Sequence, residues 1–275
     1  MSEQYLTDRA TMLLLQLKYL QNGLKLGRDL SSYGIEGDWD YLDYGKHPFA
    51  GEPNSPLVFS IDGNGLSTDD HIIAFGTKGD DTFEGSDESD RFYGGAGDDT
   101  FTSSKGDDYM EGGVGNDVYH IKGKDTVFDS DMSGQIVFDG LSQSPSLFEK
   151  TGKNSWVASD ASHITATRND KDLLIQNNDN SVLIKGYFSK AKHIDNMLWS
   201  GLDFHLIESP VHHTYKVNNG LINSFQIRPN PDDNETIAVI GNKRGDIVMP
   251  FSAKSVIVDS GDGKDTIYGL SLIHI

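Results

Sequence analysis

Hydrophobic positions change period along this chain, and the changes divide it. Leu6, Ala10, Leu13, Leu17, Leu20 and Leu24 are spaced 4, 3, 4, 3, 4, which predicts an amphipathic helix ending near Gly27 and packed on a neighbouring domain. Further on the helical period is lost and short alternating segments take over. Leu57 to Ile61 reads as a strand, as do Leu173 to Ile175 and Ser181 to Ile184, which are joined by a polar Asn/Asp turn. A helix or loop after Tyr187 and Phe188 is expected to carry Ile194, Met197, Leu198 and Trp199. Thr214 to Val217, Ser224 to Ile227, Thr236 to Ile240, Asp246 to Met249 and Ser255 to Val258 read as a second β unit.

Between Gly76 and Asp129 the alternation has a longer period. A large apolar residue stands at every ninth place: Phe83, Phe92, Phe101, Met110 and Tyr119. The blocks read GTKGDDTFE, GSDESDRFY, GGAGDDTFT, SSKGDDYME and GGVGNDVYH, followed by a shortened IKGKDTVFD. Asp recurs at the sixth place, as Asp81, Asp90, Asp99, Asp108 and Asp117, and continues as Asp125. Gly76, Gly79, Gly94, Gly97, Gly106, Gly112, Gly115 and Gly123 supply turns with inward carbonyls, while the last three residues of each block make one short strand. Two blocks form one coil of a two-sheet solenoid. The expected fold is mainly β: a parallel β-roll flanked by small β-rich modules and the N-terminal helix. Asp81, Asp99 and Asp117 then line one edge, and Asp90, Asp108 and Asp125 the other.

Composition gives that geometry a consequence. The 275 residues carry a net charge of -19, with 33 Asp, 9 Glu and no Cys. The 54 residues from Gly76 to Asp129 hold a net -9 of it. Carboxylates on coils about 4.8 Å apart repel by roughly 3 to 4 kcal/mol at an effective dielectric of 20. The stack therefore needs cations. Calcium suits mixed carbonyl and carboxylate donors in flexible geometry, whereas magnesium demands a strict octahedron and zinc wants His or Cys. The absence of Cys excludes disulfides and thiolate metal sites, and the charge disfavours nucleic acid. No apolar run is long enough for a membrane helix, and residues 1–10 do not resemble a secretory signal peptide.

The repeats resemble the repeat-in-toxin (RTX) nonapeptide, GGxGxDxUx, of haemolysin-type calcium-binding proteins. GGAGDDTFT and GGVGNDVYH match in full, while Glu88, Ser103 and Ser104 replace glycines. Asp172 to Gly201 resembles the calcium-binding-related segment that follows such repeats, expected here to cap the solenoid end. Ser55 to Asp70 resembles an SPLVLDLDGDG element found ahead of them. Its Asp62 and Asn64 fall at EF-hand-like places, but Ser60 and His71 stand where acidic ligands belong, so a hairpin turn and a weak metal site remain alternatives. SGDGKDTIY repeats the unit with Asp265, a further candidate ligand.

The expected organisation is a helical region over 1–48, a lead-in strand and turn over 49–75, the β-roll over 76–131 and the capping module over 132–202. A second β unit follows over 203–258, then a renewed repeat over 259–269. LSLIHI, 270–275, resembles a translated library-adapter sequence, so a non-native tail on a fragment of a longer protein is expected. The resemblance implies secretion to the outside or the cell surface by type I machinery, folding on extracellular Ca2+, and a toxin-like role at a host cell surface. An RTX protease, lipase or epimerase and a cell-surface adhesin are the alternatives. HExxH and GxSxG motifs are missing from the chain, and no catalytic residue is assigned.

Overall fold

A nine-residue unit with one apolar side chain can bury that side chain only by stacking on its neighbours. The computed structural model describes residues 1–21, 39–43, 58–59, 69–139, 141, 145, 147–159, 163–194, 197–208, 213–216, 225–227, 236–240, 247–250, 255–259, 266–267 and 273–274. They belong to two units, one of Met1–Ser144, His163–Ala191 and Ser200–Asp203, the other of Pro145–Ser162, Lys192–Trp199 and Phe204–Ile275.

The first unit begins with helix α1 (Glu3–Gln21), β1 (Trp39–Asp43) and β2 (Val58–Phe59). The repeats then supply β3 (His71–Phe75), β4 (Thr82–Glu84), β5 (Arg91–Ala96), β6 (Thr100–Thr102), β7 (Tyr109–Val114), β8 (Asp117–Ile121), β9 (Lys124–Phe128) and β10 (Ser133–Phe138). Odd strands pair in parallel in the order β1-β3-β5-β7-β9, and even strands in the order β10-β8-β6-β4-β2. The pairing Phe83↔Phe101 and Phe92↔Met110 fixes a coil of two nonapeptides, and Met110↔Val127 absorbs the residue missing from the sixth unit. This is the expected parallel β-roll. Phe83, Phe92, Phe101, Met110, Tyr119 and Val127 are all fully buried between the sheets. Phe83 stacks on Phe101 at 5.1 Å and Phe101 on Tyr119 at 5.2 Å, so the eighth-place residues of the even strands form a continuous aromatic column.

Helix α1 packs on the outer face of β3, β5 and β7, but not through the stripe its sequence predicts. Met12 is buried against Ile73, Phe75 and Tyr93 and Leu15 is buried too, whereas Leu6, Leu13 and Leu17 are 58%, 41% and 55% exposed. Asp8 explains the rotation. Its carboxylate is buried and takes hydrogen bonds from Arg91 Nη1 at 2.8 Å and from the Tyr93 hydroxyl. A buried carboxylate must be paired, and these partners are on the sheet, so the helix turns Asp8 inward. Region 1–48 is also not wholly helical, since β1 pairs in parallel with β3.

In chain order there follow β11 (Leu147–Gly152), β12 (Ser155–Ala158), β13 (Ile164–Asn169), β14 (Asp172–Asn177) and β15 (Asn180–Ile184). Next come a one-turn helix α2 (Tyr187–Lys190), β16 (Lys192–Ile194), β17 (Met197–Trp199), β18 (Gly201–Leu202) and β19 (His205–Ile207). In the first unit β15 pairs in parallel with β9, and β14 and β13 extend from it antiparallel, so the open edge of the last odd strand is covered. Likewise β18 lies on β10. The capping role expected of Asp172 to Gly201 is thus met by β14, β15 and β18. Two corrections follow. Residues 132–202 are not one module, because β11, β12, β16 and β17 belong to the second unit. Past α2, Met197 and Leu198 sit on strand β17 rather than on a helix, and β17 pairs antiparallel with both β16 and β19.

In the second unit β12, β11, β19, β17 and β16 follow one another in a sheet, where the Trp156 indole donates to the Ile207 carbonyl at 2.9 Å. The remaining strands are β20 (His213–Lys216), β21 (Phe225–Ile227), β22 (Thr236–Ile240), β23 (Ile247–Pro250), β24 (Ser255–Asp259), β25 (Thr266–Ile267) and β26 (Ile273–His274). Even strands β20-β22-β24-β26 and odd strands β21-β23-β25 form two parallel sheets. The second β unit is therefore built by the same alternation as the roll. The renewed repeat supplies β25 to it, and Ile273 and His274 of the expected tail form β26.

Phe101 has neighbours above and below in the column. Phe101→Ala is expected to cost about 3 to 5 kcal/mol by denaturant titration, whereas Val114→Ala, on a 61% exposed residue, changes the midpoint little.

Candidate metal centre

Each nonapeptide crosses from one sheet to the other, so its turn lies at one of two edges of the roll. Turns after β3, β5, β7 and β9 form the first edge, and turns after β4, β6 and β8 the second. The sixth-place Asp ends each turn and points along the stack. Asp99 Oδ1 accepts the Asp81 amide at 2.8 Å, and Asp117 Oδ1 accepts the Asp99 amide at 2.9 Å. On the second edge Asp90 accepts the Ile72 amide at 2.8 Å, Asp108 the Asp90 amide at 2.8 Å, and Asp125 the Asp108 amide at 3.1 Å. The two predicted carboxylate ladders are present with the predicted membership.

All six of these aspartates are buried, with exposures of 2% or less. Burial, opposed in part by the amide bonds, raises Asp99 and Asp108 to about 8 and Asp90, Asp117 and Asp125 to about 6. The neighbouring ladder carboxylates push Asp99 and Asp108 further the same way. Two side-chain oxygens in the ladders are buried without a hydrogen-bond partner, Asp99 Oδ2 and Asp117 Oδ2. Orphaned buried acceptors of this kind are costly and call for a counter-charge.

The glycines explain how the oxygens are reached. A Cβ on Gly94 would overlap Asp99 Oδ2, and one on Gly112 would overlap Asp117 Oδ2. Gly76 stands in the same relation to Asp81. Carbonyl oxygens of Thr77, Gly79, Gly95 and Gly97 lie against the α-carbons of Gly95, Gly97, Gly113 and Gly115 on the next coil. On the second edge Gly106 and Gly123 rest in the same way on the Glu88 and Gly106 carbonyls. Among the described residues no group of three or more His, Asp or Glu side chains converges on one point. A cation here would be held by one or two carboxylates and a wall of carbonyls. That donor set is all oxygen and of mixed type, and it fits calcium.

The comparison with known families agrees with this geometry. Residues 65–101, 75–110 and 84–119 match the model of the RTX calcium-binding nonapeptide repeat. The chain carries an RTX calcium-binding array. Among curated proteins and solved structures, none matches the chain. RTX repeats of this kind bind calcium, and the oxygens that line the turns here are the ladder carboxylates and the turn carbonyls.

Of the other candidates, Asp62, Asn64 and Asp265 lie outside the described residues. Two features of the RTX array, at Asp129 and Lys190, have no period to reveal them, and a third recurs only at the second place of the unit. Asp129, fully buried at the end of the sixth unit, takes the Tyr119 hydroxyl at 2.9 Å and the Met132 amide at 2.6 Å, and burial raises it to about 7. Lys190 of α2 donates to the carbonyls of Asp129 at 2.5 Å and Ser130 at 3.2 Å. Thr77, Ser86 and Ser104 turn their amides onto the Oδ2 atoms of Asp81, Asp90 and Asp108 at 2.6, 2.5 and 3.4 Å.

In the unfolded chain these acids titrate near 4. In the folded, cation-free array they titrate between about 6 and 8, so folding takes up protons and stability falls as pH rises across that interval. With calcium chelated, β content by circular dichroism is expected to rise as pH is lowered from about 8 to about 5. Saturating calcium is expected to flatten that dependence by replacing the protons.

Proposed function

We propose that this chain is a calcium-triggered folding module of a large bacterial protein that leaves the cell unfolded through a type I secretion channel, with a toxin-like role at a host cell surface. The observation that carries this reading is the pair of buried, unpartnered carboxylate oxygens at Asp99 and Asp117 within a ladder of like charges. At neutral pH such a ladder opposes its own closure, and a cation that binds only the folded state reverses that by mass action. Calcium is scarce inside cells and abundant outside, so the same sequence stays extended before export and folds after it. The chain contributes binding and folding rather than catalysis, and no residue in it is assigned a catalytic role.

A cell-surface adhesin is the second reading. The observation favouring it is the second pair of parallel sheets formed by β20 to β26, since serial β modules suit a protein that spans distance.

Calcium titration of the chelated chain, followed by far-ultraviolet circular dichroism at neutral pH, tests the first reading. The expected result is a coil-to-β transition with a midpoint in the roughly 0.1 to 1 mM range of extracellular modules, reversed by chelator. A β spectrum that chelation leaves unchanged would refute it.

A further inference from the structure

The two edges of the roll carry the same aspartates but do not satisfy them in the same way. The difference lies at the second place of each turn. On the second edge that place holds Ser86, Ser104 and Lys122, and their amides reach Asp90 Oδ2 at 2.5 Å, Asp108 Oδ2 at 3.4 Å and Asp125 Oδ2 at 3.2 Å. The Ser86 hydroxyl adds a bond to Asp90 Oδ1 at 3.1 Å. With the amides from the preceding coil, both oxygens of all three second-edge carboxylates are engaged.

One carbonyl of that edge is engaged as well, since the Ser103 hydroxyl donates to the His120 carbonyl at 3.0 Å with the Lys122 carbonyl 3.3 Å away as the alternative acceptor. The edge also brings its own cation, for the Lys105 ammonium sits 2.6 Å from Asp87. On the first edge the Asp99 and Asp117 turns have glycine at the second place, Gly95 and Gly113, with φ of +112° and +118°. No amide from them reaches Oδ2, both oxygens lack a hydrogen bond, and the Tyr119 hydroxyl beside Asp117 Oδ2 gives its proton to Asp129 at 2.9 Å. This open stretch has two ends. Before it, Thr77 closes on Asp81 through its amide and hydroxyl. After it, the Lys190 ammonium occupies the carbonyls of the Asp129 turn.

We propose that this roll takes its divalent cations along one edge only, at the Asp99 and Asp117 turns, while the Asp90, Asp108 and Asp125 edge is closed by the protein's own hydroxyls, amides and Lys105. The second place of the nonapeptide is the selector: glycine leaves the carboxylate open to a cation, and serine or threonine closes it. A cation at the second edge would have to share carboxylate oxygens that already accept hydrogen bonds and would meet the repulsion of a nearby ammonium. This inference rests on the calcium-binding reading above and adds which turns are loaded.

Native mass spectrometry of the whole chain at saturating calcium counts ions per folded molecule. D99N and D117N are each expected to lose an ion, and D90N and D108N to keep the full count. Loss of an ion in D90N or D108N overturns the one-edge assignment while leaving the calcium reading intact. A wild-type chain that holds no calcium overturns the calcium reading itself. A second measurement keeps every carboxylate and so does not depend on whether those variants fold. The Tyr119 hydroxyl crowds the same Gly112 position as Asp117 Oδ2, whereas Tyr109 directly follows Asp108 on the second edge. With terbium as the probe, tyrosine-sensitised emission is expected to fall severalfold in Y119F and to be unchanged in Y109F. Emission that depends on Tyr109 and not on Tyr119 overturns the proposal.

Discussion

The first unit depends on one interaction, the aspartate carboxylate of each coil accepting the backbone amide of the aspartate one coil before it. It sets the spacing of the coils, holds the turns in register and buries the acid. The same bond creates the difficulty that defines the molecule. Stacking identical units aligns the apolar column and also aligns the charges, so the force that closes the roll and the force that opens it grow together with each repeat. Protons or a divalent cation resolve the conflict, and only the cation does so at neutral pH.

The flanking elements are answers to the same problem at the ends of the stack. A two-sheet solenoid leaves strand edges and turn carbonyls exposed where it stops. Strands β15 and β18 cover the edges, and Lys190 on α2 supplies an ammonium to the last carbonyls. Asp8 on α1 does the complementary work on the outer face, where it pairs with Arg91 and Tyr93.

The repeat was legible in the sequence because it is periodic. Asp81 to Asp125 and Phe83 to Tyr119 declare coil length, inward face and edge membership by spacing alone, and the structure follows each of these. The rotation of α1 was not legible, since its leucine stripe is the stronger local signal and the partners that pull Asp8 inward lie more than 80 positions away. The same limit applies to Lys190, 61 positions from Asp129. Strands β20 to β24 were visible as alternating segments, but parallel pairing is a non-local property that alternation does not encode. The difference between glycine and serine at the second place of the unit was visible as a departure from the motif. Its meaning needed the orphaned oxygens of Asp99 and Asp117.

The central claim is that the array as a whole holds together in neutral solution only with a cation bound. Amide hydrogen exchange resolved along residues 71–138, with calcium and then with chelator at neutral pH, addresses it at the bonds themselves. The account predicts that the amides of Asp81, Asp90, Asp99 and Asp108, which donate to the next carboxylate in each ladder, are protected with calcium and exchange freely without it. Equal protection of these amides in both conditions would contradict it.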